Sequence, residues 1–251
     1  LNASAPDDAK VVDNLIRELG DAHKTVQRRA IDDLVAIAAA GNGNPIVIEK
    51  LRDAIASVDR RVRWAAAYAL GQIGAEAFAM DSADALCEAM TDDDGDVRWA
   101  ATNLMVRLGR ENLPEIAGRL LKMARSGDRN ARKMALYCIR DLELDGPELL
   151  AVVERAVHDP DVHVRLAALA VLSRIRDTSG RAVRMMLECL KSDRDAGVRR
   201  AAASALGNIR SADAEAIAAL TSATADSADE SLARAARGAL ERLEKFRLEN
   251  R

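Results

Sequence analysis

Apolar residues fall along this chain in short runs with helical spacing, and the runs recur. In residues 62–73 they are Val62, Ala66, Ala69, Leu70 and Ile73, which form one stripe of an α-helix. Equivalent stripes start at Val26, Val97, Ala131, Val164, Val198 and Leu232, so that successive starts lie 36, 35, 34, 33, 34 and 34 residues apart. Between them run shorter amphipathic segments, such as Val11, Val12, Leu15, Ile16 and Leu19, then Ala85, Leu86, Ala89 and Met90, then Ala216, Ile217 and Leu220. Each period therefore predicts a pair of helices, and seven periods predict seven pairs.

The polar positions agree. Asp21, Asp59, Asp94, Asp128, Asp161, Asp195 and Asp229 each stand just ahead of a long stripe. A carboxylate there caps the unpaired N–H groups of the first turn and faces the positive end of the helix dipole. Pro45, Pro114 and Pro147 fall where shorter helices begin, a position in which the missing N–H costs nothing. Gly41-Asn42-Gly43-Asn44 reads as a loop between repeats. With no longer linker to divide the chain, a near-constant period of this length predicts one continuous solenoid over residues 1–251.

The skeleton Val-Arg-x-x-Ala-Ala-x-Ala-Leu-Gly-x-Ile is complete at 62–73 and 198–209 and recognisable elsewhere. It resembles HEAT repeats, specifically the short subclass named after phycobilisome bilin lyases. The resemblance covers essentially the whole chain, as repeats at about 7–40, 45–74, 75–110, 113–143, 147–176, 178–210 and 212–248. The first and last drift most, with Gln27 and Ala233 in place of the arginine. It implies an all-α, right-handed α-solenoid (superhelix) of about seven HEAT-like helix-pair repeats, whose second helices line a concave surface.

Composition refines this picture. Apolar residues are 49% of the chain but aromatic ones only 2%, so alanine supplies much of the core and helices can approach closely. A charged fraction of 31% suits a soluble chain, and a net charge of −3 points to neither nucleic acid nor membrane. No apolar run approaches the roughly 20 residues of a membrane-spanning helix. The start lacks the features of a secretion signal, and a first residue other than Met points to a trimmed chain or an excised domain. Cys87, Cys138 and Cys189, an odd number with wide spacing, read as reduced core thiols of a cytoplasmic protein.

The recurring arginine (Arg63, Arg98, Arg132, Arg165, Arg199) stands at the edge of the stripe. It is expected to pair with the inter-helix turn or with an acid of the adjacent repeat. As an exposed pair it would contribute only about 0–1 kcal/mol and serve register. Positions 2, 3, 6 and 10 residues after each stripe start face away from it, and these are the candidate lining. They collect both Trp and both Tyr of the chain, together with eight basic residues against two acidic ones. That is +6 on a chain of net −3, leaving −9 elsewhere. Exposed aromatics flanked by cations are the composition of an interaction hot spot. The candidate partner-binding residues are Trp64, Tyr68, Trp99, Asn103, Arg107, Lys133, Tyr137, Arg174 and Arg200. The competing reading makes Trp64 and Trp99 surface filler packed on each other.

Signals for chemistry are weak. His158, Asp159, Asp161 and His163 gather in one turn, but Asp161 is explained as a cap and Pro160 holds the turn without a metal. Asp92, Asp94 and Asp96 match three places of a calcium loop, whose required Gly and Glu are here Val97 and Asn103. No His-Glu dipeptide occurs, the pair on which iron hydroxylases built from HEAT arrays depend. The expected function is thus a non-catalytic scaffold or adaptor, with no cofactor or metal. It would bind an acidic protein or peptide on its concave face and no membrane. The alternatives are a nucleic-acid-binding array, and a chromophore-attachment factor like the bilin lyases.

Overall fold

The computed structural model describes residues 6–40, 45–73, 82–175, 177, 179–209, 213–225 and 229–249. The loop expected at 41–44 lies outside them, as does Phe78. The described residues form fourteen α-helices and no strand, in two compact units, Leu1–Met123 and Ala124–Arg251.

In the first unit, α1 (Pro6–Glu18), α3 (Pro45–Ile55), α5 (Ser82–Ala89) and α7 (Leu113–Met123) alternate in sequence with α2 (Lys24–Ala40), α4 (Arg60–Ile73) and α6 (Gly95–Glu111). Helix α4 packs on both α2 and α6, while α3 packs on α1 and α5, which gives two layers. The second unit repeats the plan. Its α8 (Arg129–Asp141), α10 (Val162–Leu172), α12 (Ala196–Leu206) and α14 (Glu230–Glu249) pack in series. Opposite them run α9 (Pro147–Ala156), α11 (Arg181–Ser192) and α13 (Ala214–Thr224). The protein is an all-α solenoid of helix pairs, with the predicted stripes at its core: Ala66, Ala69 and Leu70 in α4, and Val198, Ala202, Ala205 and Leu206 in α12, are buried.

The expected caps form. The side chains of Asp94, Asp128, Asp161, Asp195 and Asp229 accept first-turn N–H groups at 2.7–3.2 Å. In five turns, those of Asp59, Asp94, Asp128, Asp161 and Asp195, a second residue two positions earlier accepts the cap residue's own N–H. Asp92, Asp159 and Asp193 do so at 2.8–2.9 Å, Ser57 and Ser126 at 3.1–3.2 Å.

Where that residue is aspartate, the recurring arginine of the preceding repeat closes on it. Arg165 donates Nε and Nη2 to Asp193 at 2.8 and 3.0 Å, and its Nη1 donates to the carbonyls of Asp159 and Pro160 in its own turn. Arg132 holds Asp159 in the same way, and Arg63 holds Asp92. Each clasp therefore joins the turns of two consecutive repeats. These pairs are not the exposed pairs anticipated from sequence: Arg165 and Asp193 retain 5% and 8% side-chain exposure, because the packed turns cover them. Breaking one clasp consequently strands a charge.

Acid should loosen this network. Burial pushes the Asp193 carboxyl up, but hydrogen bonds from Arg165 and from the Asp195 N–H outweigh it and hold the group below the usual carboxylate range. For Asp94 and Asp161, first-turn N–H donors likewise override burial. A depressed carboxylate contributes stability in full above its unfolded value of about 3.9, and loses it as pH falls through the folded value. The urea midpoint is expected to change little from neutrality to about pH 5 and to drop steadily below about pH 4. An Asp193→Asn variant should show a shallower drop.

Candidate functional site

On α6 the exposed surface narrows to a single strip. Between Val97 and Gly109 only Trp99, Asn103 and Arg107 are exposed, and all three were expected there. Trp99 keeps 61% of its surface open, and Asn103 donates its side-chain amide to the Trp99 carbonyl at 3.0 Å. On α4 the corresponding strip carries Trp64, Tyr68 and Gln72. The Trp64 and Tyr68 rings stack with centroids 5.3 Å apart and planes 17° apart. Tyr68 is 38% exposed and Trp64 is half-buried. Trp64 thus has its aromatic partner on its own helix, one turn on. Arg107 crosses from α6 to donate to the Gly71 carbonyl, which sets the two strips side by side.

One part of the expected lining is corrected. Of the seven residues three positions after a stripe start, Ala65, Ala100, Met134 and Ala167 are buried, while Arg29 is exposed and Ala201 and Ala235 are half-buried. Within the first unit α4 is packed by α3 and by α2 and α6, and within the second α10 is packed by α9 and by α8 and α12, so the covered arc is wider than one stripe.

The first unit holds an open groove of about 840 Å³ along this surface. Lys24, Arg28, Ile31 and Asp32 of α2 form one wall, Trp64, Tyr68 and Gln72 of α4 the other, and Asp21, Arg60, Arg61, Asp94 and Asp96 close the end. Four cations (Lys24, Arg28, Arg60, Arg61) face four carboxylates (Asp21, Asp32, Asp94, Asp96), so the groove itself is electrically balanced. Asp94 is paired with Arg60 at 3.3 Å, and Asp21 accepts from the His23 N–H at 2.7 Å.

In the second unit, Lys133 and Tyr137 are half-buried on α8, and the Arg140 guanidinium sits 5.2 Å from the Tyr137 ring centre. Arg174 is exposed and pairs with Glu143 at 3.4 Å, and Arg200 is half-buried on α12. Several lining cations are thus partly answered by carboxylates from outside the lining, Arg29 by Glu18 and Arg234 by Glu230 among them.

The turn at 158–163 is taken up by structure. Asp159 holds Arg132, Asp161 caps α10, and His158 lies 3.8 Å from Glu188. Among the described residues no three His, Cys, Asp or Glu side chains come together as a metal site. All three cysteines are free thiols. Burial pushes Cys87 above its ordinary value and Cys189 up to about 12, so both stay protonated at neutral pH. Sequence reasoning missed the clasp acids Asp92, Asp159 and Asp193. Their signal was an Asp-x-Asp spacing ahead of the stripe.

Among described residues, no helix is long and apolar enough to cross a membrane. No curated protein matches the chain in sequence. Solved structures do match in fold. An archaeal HEAT-like repeats protein from Thermococcus onnurineus NA1 is 14% identical, with TM-score 0.55 over 94% of this chain and 97% of that one. Importin beta is 17% identical, with TM-score 0.67 over 94% of this chain and 35% of its own. Kap95p, solved bound to RanGDP, is 15% identical, with TM-score 0.66 over 97% of this chain and 36% of its own. At such identities the likeness is one of fold, and this chain spans about a third of importin beta and of Kap95p. The family model for HEAT repeats matches residues 12–106, 116–207 and 178–241, nearly the whole length. The chain belongs to the HEAT-repeat family.

Proposed function

We propose that this protein is a non-catalytic scaffold or adaptor that holds a partner protein or peptide on the surface of its second helices. The observation that carries the reading is the aromatic strip of the first unit, in which Tyr68, stacked on half-buried Trp64, and Trp99 are exposed beside a formed groove. Large aromatics at equivalent places on adjacent helices, Trp64 half open and Trp99 exposed, offer apolar area in rigid form, as binding anchors do. Asn103 and Arg107 supply polar contacts next to them. In the second unit Lys133, Tyr137, Arg174 and Arg200 hold the equivalent places.

An acidic partner is favoured by the cations of the lining outside the groove. Arg107 donates to a neutral carbonyl, that of Gly71, rather than to a carboxylate. Such charges would act mainly on the rate of encounter. The balanced groove suits a protein segment better than a phosphate backbone, which demands uniform positive charge. The repeat period and the Val-Arg-x-x-Ala-Ala motif support assignment to the short HEAT subclass, and free thiols favour a reducing compartment such as the cytoplasm.

The test is capture of partners by the whole chain and by a Trp64→Ala/Trp99→Ala variant, read by mass spectrometry. Because Trp99 is open and Trp64 only half-covered, the variant should keep the wild-type melting profile. It should lose the partners that the wild type retains at moderate salt. An unchanged partner set would refute the reading.

A further inference from the structure

The groove lies across the joint between the first helix pair, α1–α2, and the second, α3–α4, and this joint is built differently from the next one. Across the α3–α4 to α5–α6 joint, Arg63 closes on Asp92 through two N–H groups and Arg60 pairs with Asp94 at 3.3 Å. One repeat earlier the equivalent residues are Gln27, Ser57, Lys24 and Asp59. Gln27 donates back to the Leu19 carbonyl of its own turn at 2.8 Å, and reaches the Arg61 carbonyl only at 3.5 Å. The Ser57 hydroxyl accepts the Asp59 N–H, and among the described residues no ion pair joins Lys24 to Asp59.

This joint keeps the packing of α2 on α4 and of α1 on α3, and the polar contacts added to that packing are of another kind. Lys50 pairs with Asp13 at 3.0 Å with both side chains near half exposed, on the side of the first helices. Arg61 donates to the Gly20 carbonyl at 3.3 Å, and a side chain at Gly20 would touch Val62 at 3.1 Å. The first of these polar contacts lies on the layer of first helices and the second at the turn, whereas Asp32 and Gln72 line the groove farther along α2 and α4.

We infer that the first helix pair is a movable jaw of the groove. The α1–α2 pair swings about its turn against α4, and the Gln27/Ser57 replacement of the ionic clasp is what frees it. A groove with one clasped wall (α4, tied to α6) and one unclasped wall (α2) adjusts its width to a partner segment while the Trp64–Tyr68 platform stays fixed. The partner rests on the reading of the preceding subsection; the movement does not, and it is measured on the free protein.

The experiment places spin labels on the whole chain at Asp32→Cys and Gln72→Cys, across the groove, in a Cys87→Ser background, and compares distance distributions. The wild type should give a broad distribution, and adding Gln27→Arg with Ser57→Asp to install the clasp should narrow it about twofold. Equal widths with and without the installed clasp would overturn the proposal. Should the clasped variant fail to fold, the joint is transferred instead: Arg63→Gln with Asp92→Ser, labelled at Gln72→Cys and Asn103→Cys. That variant should broaden the α4–α6 distance, and an unchanged distribution would equally overturn the inference. Loss of partner capture in the aromatic variant, or its absence, leaves both outcomes readable.

Discussion

Replacing Asp193 by alanine is expected to cost about 3–5 kcal/mol, the penalty of leaving a buried charge without its counterion. The stranded group is the Arg165 guanidinium, 5% exposed, which keeps only the carbonyls of Asp159 and Pro160 as acceptors. The Asp195 N–H loses its acceptor as well. Urea unfolding should show a lower midpoint for Asp193→Ala. A paired Arg165→Met/Asp193→Leu variant should recover most of the loss, because two apolar side chains in place of a buried ion pair are often tolerated. If the single variant unfolds at the wild-type midpoint, the clasp is not the structural element described above. The same change at Asp13, whose pair with Lys50 is open to solvent, should move the midpoint little, since such pairs contribute about 0–1 kcal/mol.

The second large effect concerns two glycines that the repeat makes equivalent. Gly71 and Gly207 both occupy the Ala-Leu-Gly position of their stripes. A Cβ on Gly71 would meet nothing within 4 Å, whereas one on Gly207 would lie 2.6 Å from the Ala239 Cα and 2.7 Å from its Cβ, on the neighbouring α14. The obstacle is backbone and cannot rotate away, so α14 must shift. Gly207→Ala is expected to cost about 1–3 kcal/mol, at the upper end of overpacking. Gly71→Ala should stabilise by about 0.4–1 kcal/mol, because alanine restricts the unfolded chain and favours the helix. Opposite shifts in melting temperature are the expected outcome. Shifts of the same sign would refute the close approach of α12 and α14.

A solenoid is legible in sequence to the extent that its interactions are local and repeated. Stripes at helical spacing, a capping Asp before each, and prolines in first turns depend on contacts within one helix pair, and the period then extends them along the chain. The arginine ladder was partly legible for the same reason, since one arginine per period points to a role shared by every repeat. Its partner was harder to see. The acid that Arg165 holds lies 28 residues on, and serine takes its place in other turns, as Ser57 and Ser126 do.

Sequence alone therefore determined the fold class, the helix pairs, their starts and the strip from which Trp99, Asn103 and Arg107 project. Tertiary structure decided how wide the buried arc is, which placed Ala65, Ala100, Met134 and Ala167 in the core. It also decided that Trp64 stacks on Tyr68, that the groove is balanced in charge, and that Gly207 touches the next helix while Gly71 touches nothing. The physical reason is the same throughout. Helical periodicity is written within a dozen residues, whereas the spacing and tilt between neighbouring helices are summed from side chains a full repeat apart, and those are what decide whether equivalent positions meet solvent, each other or a backbone.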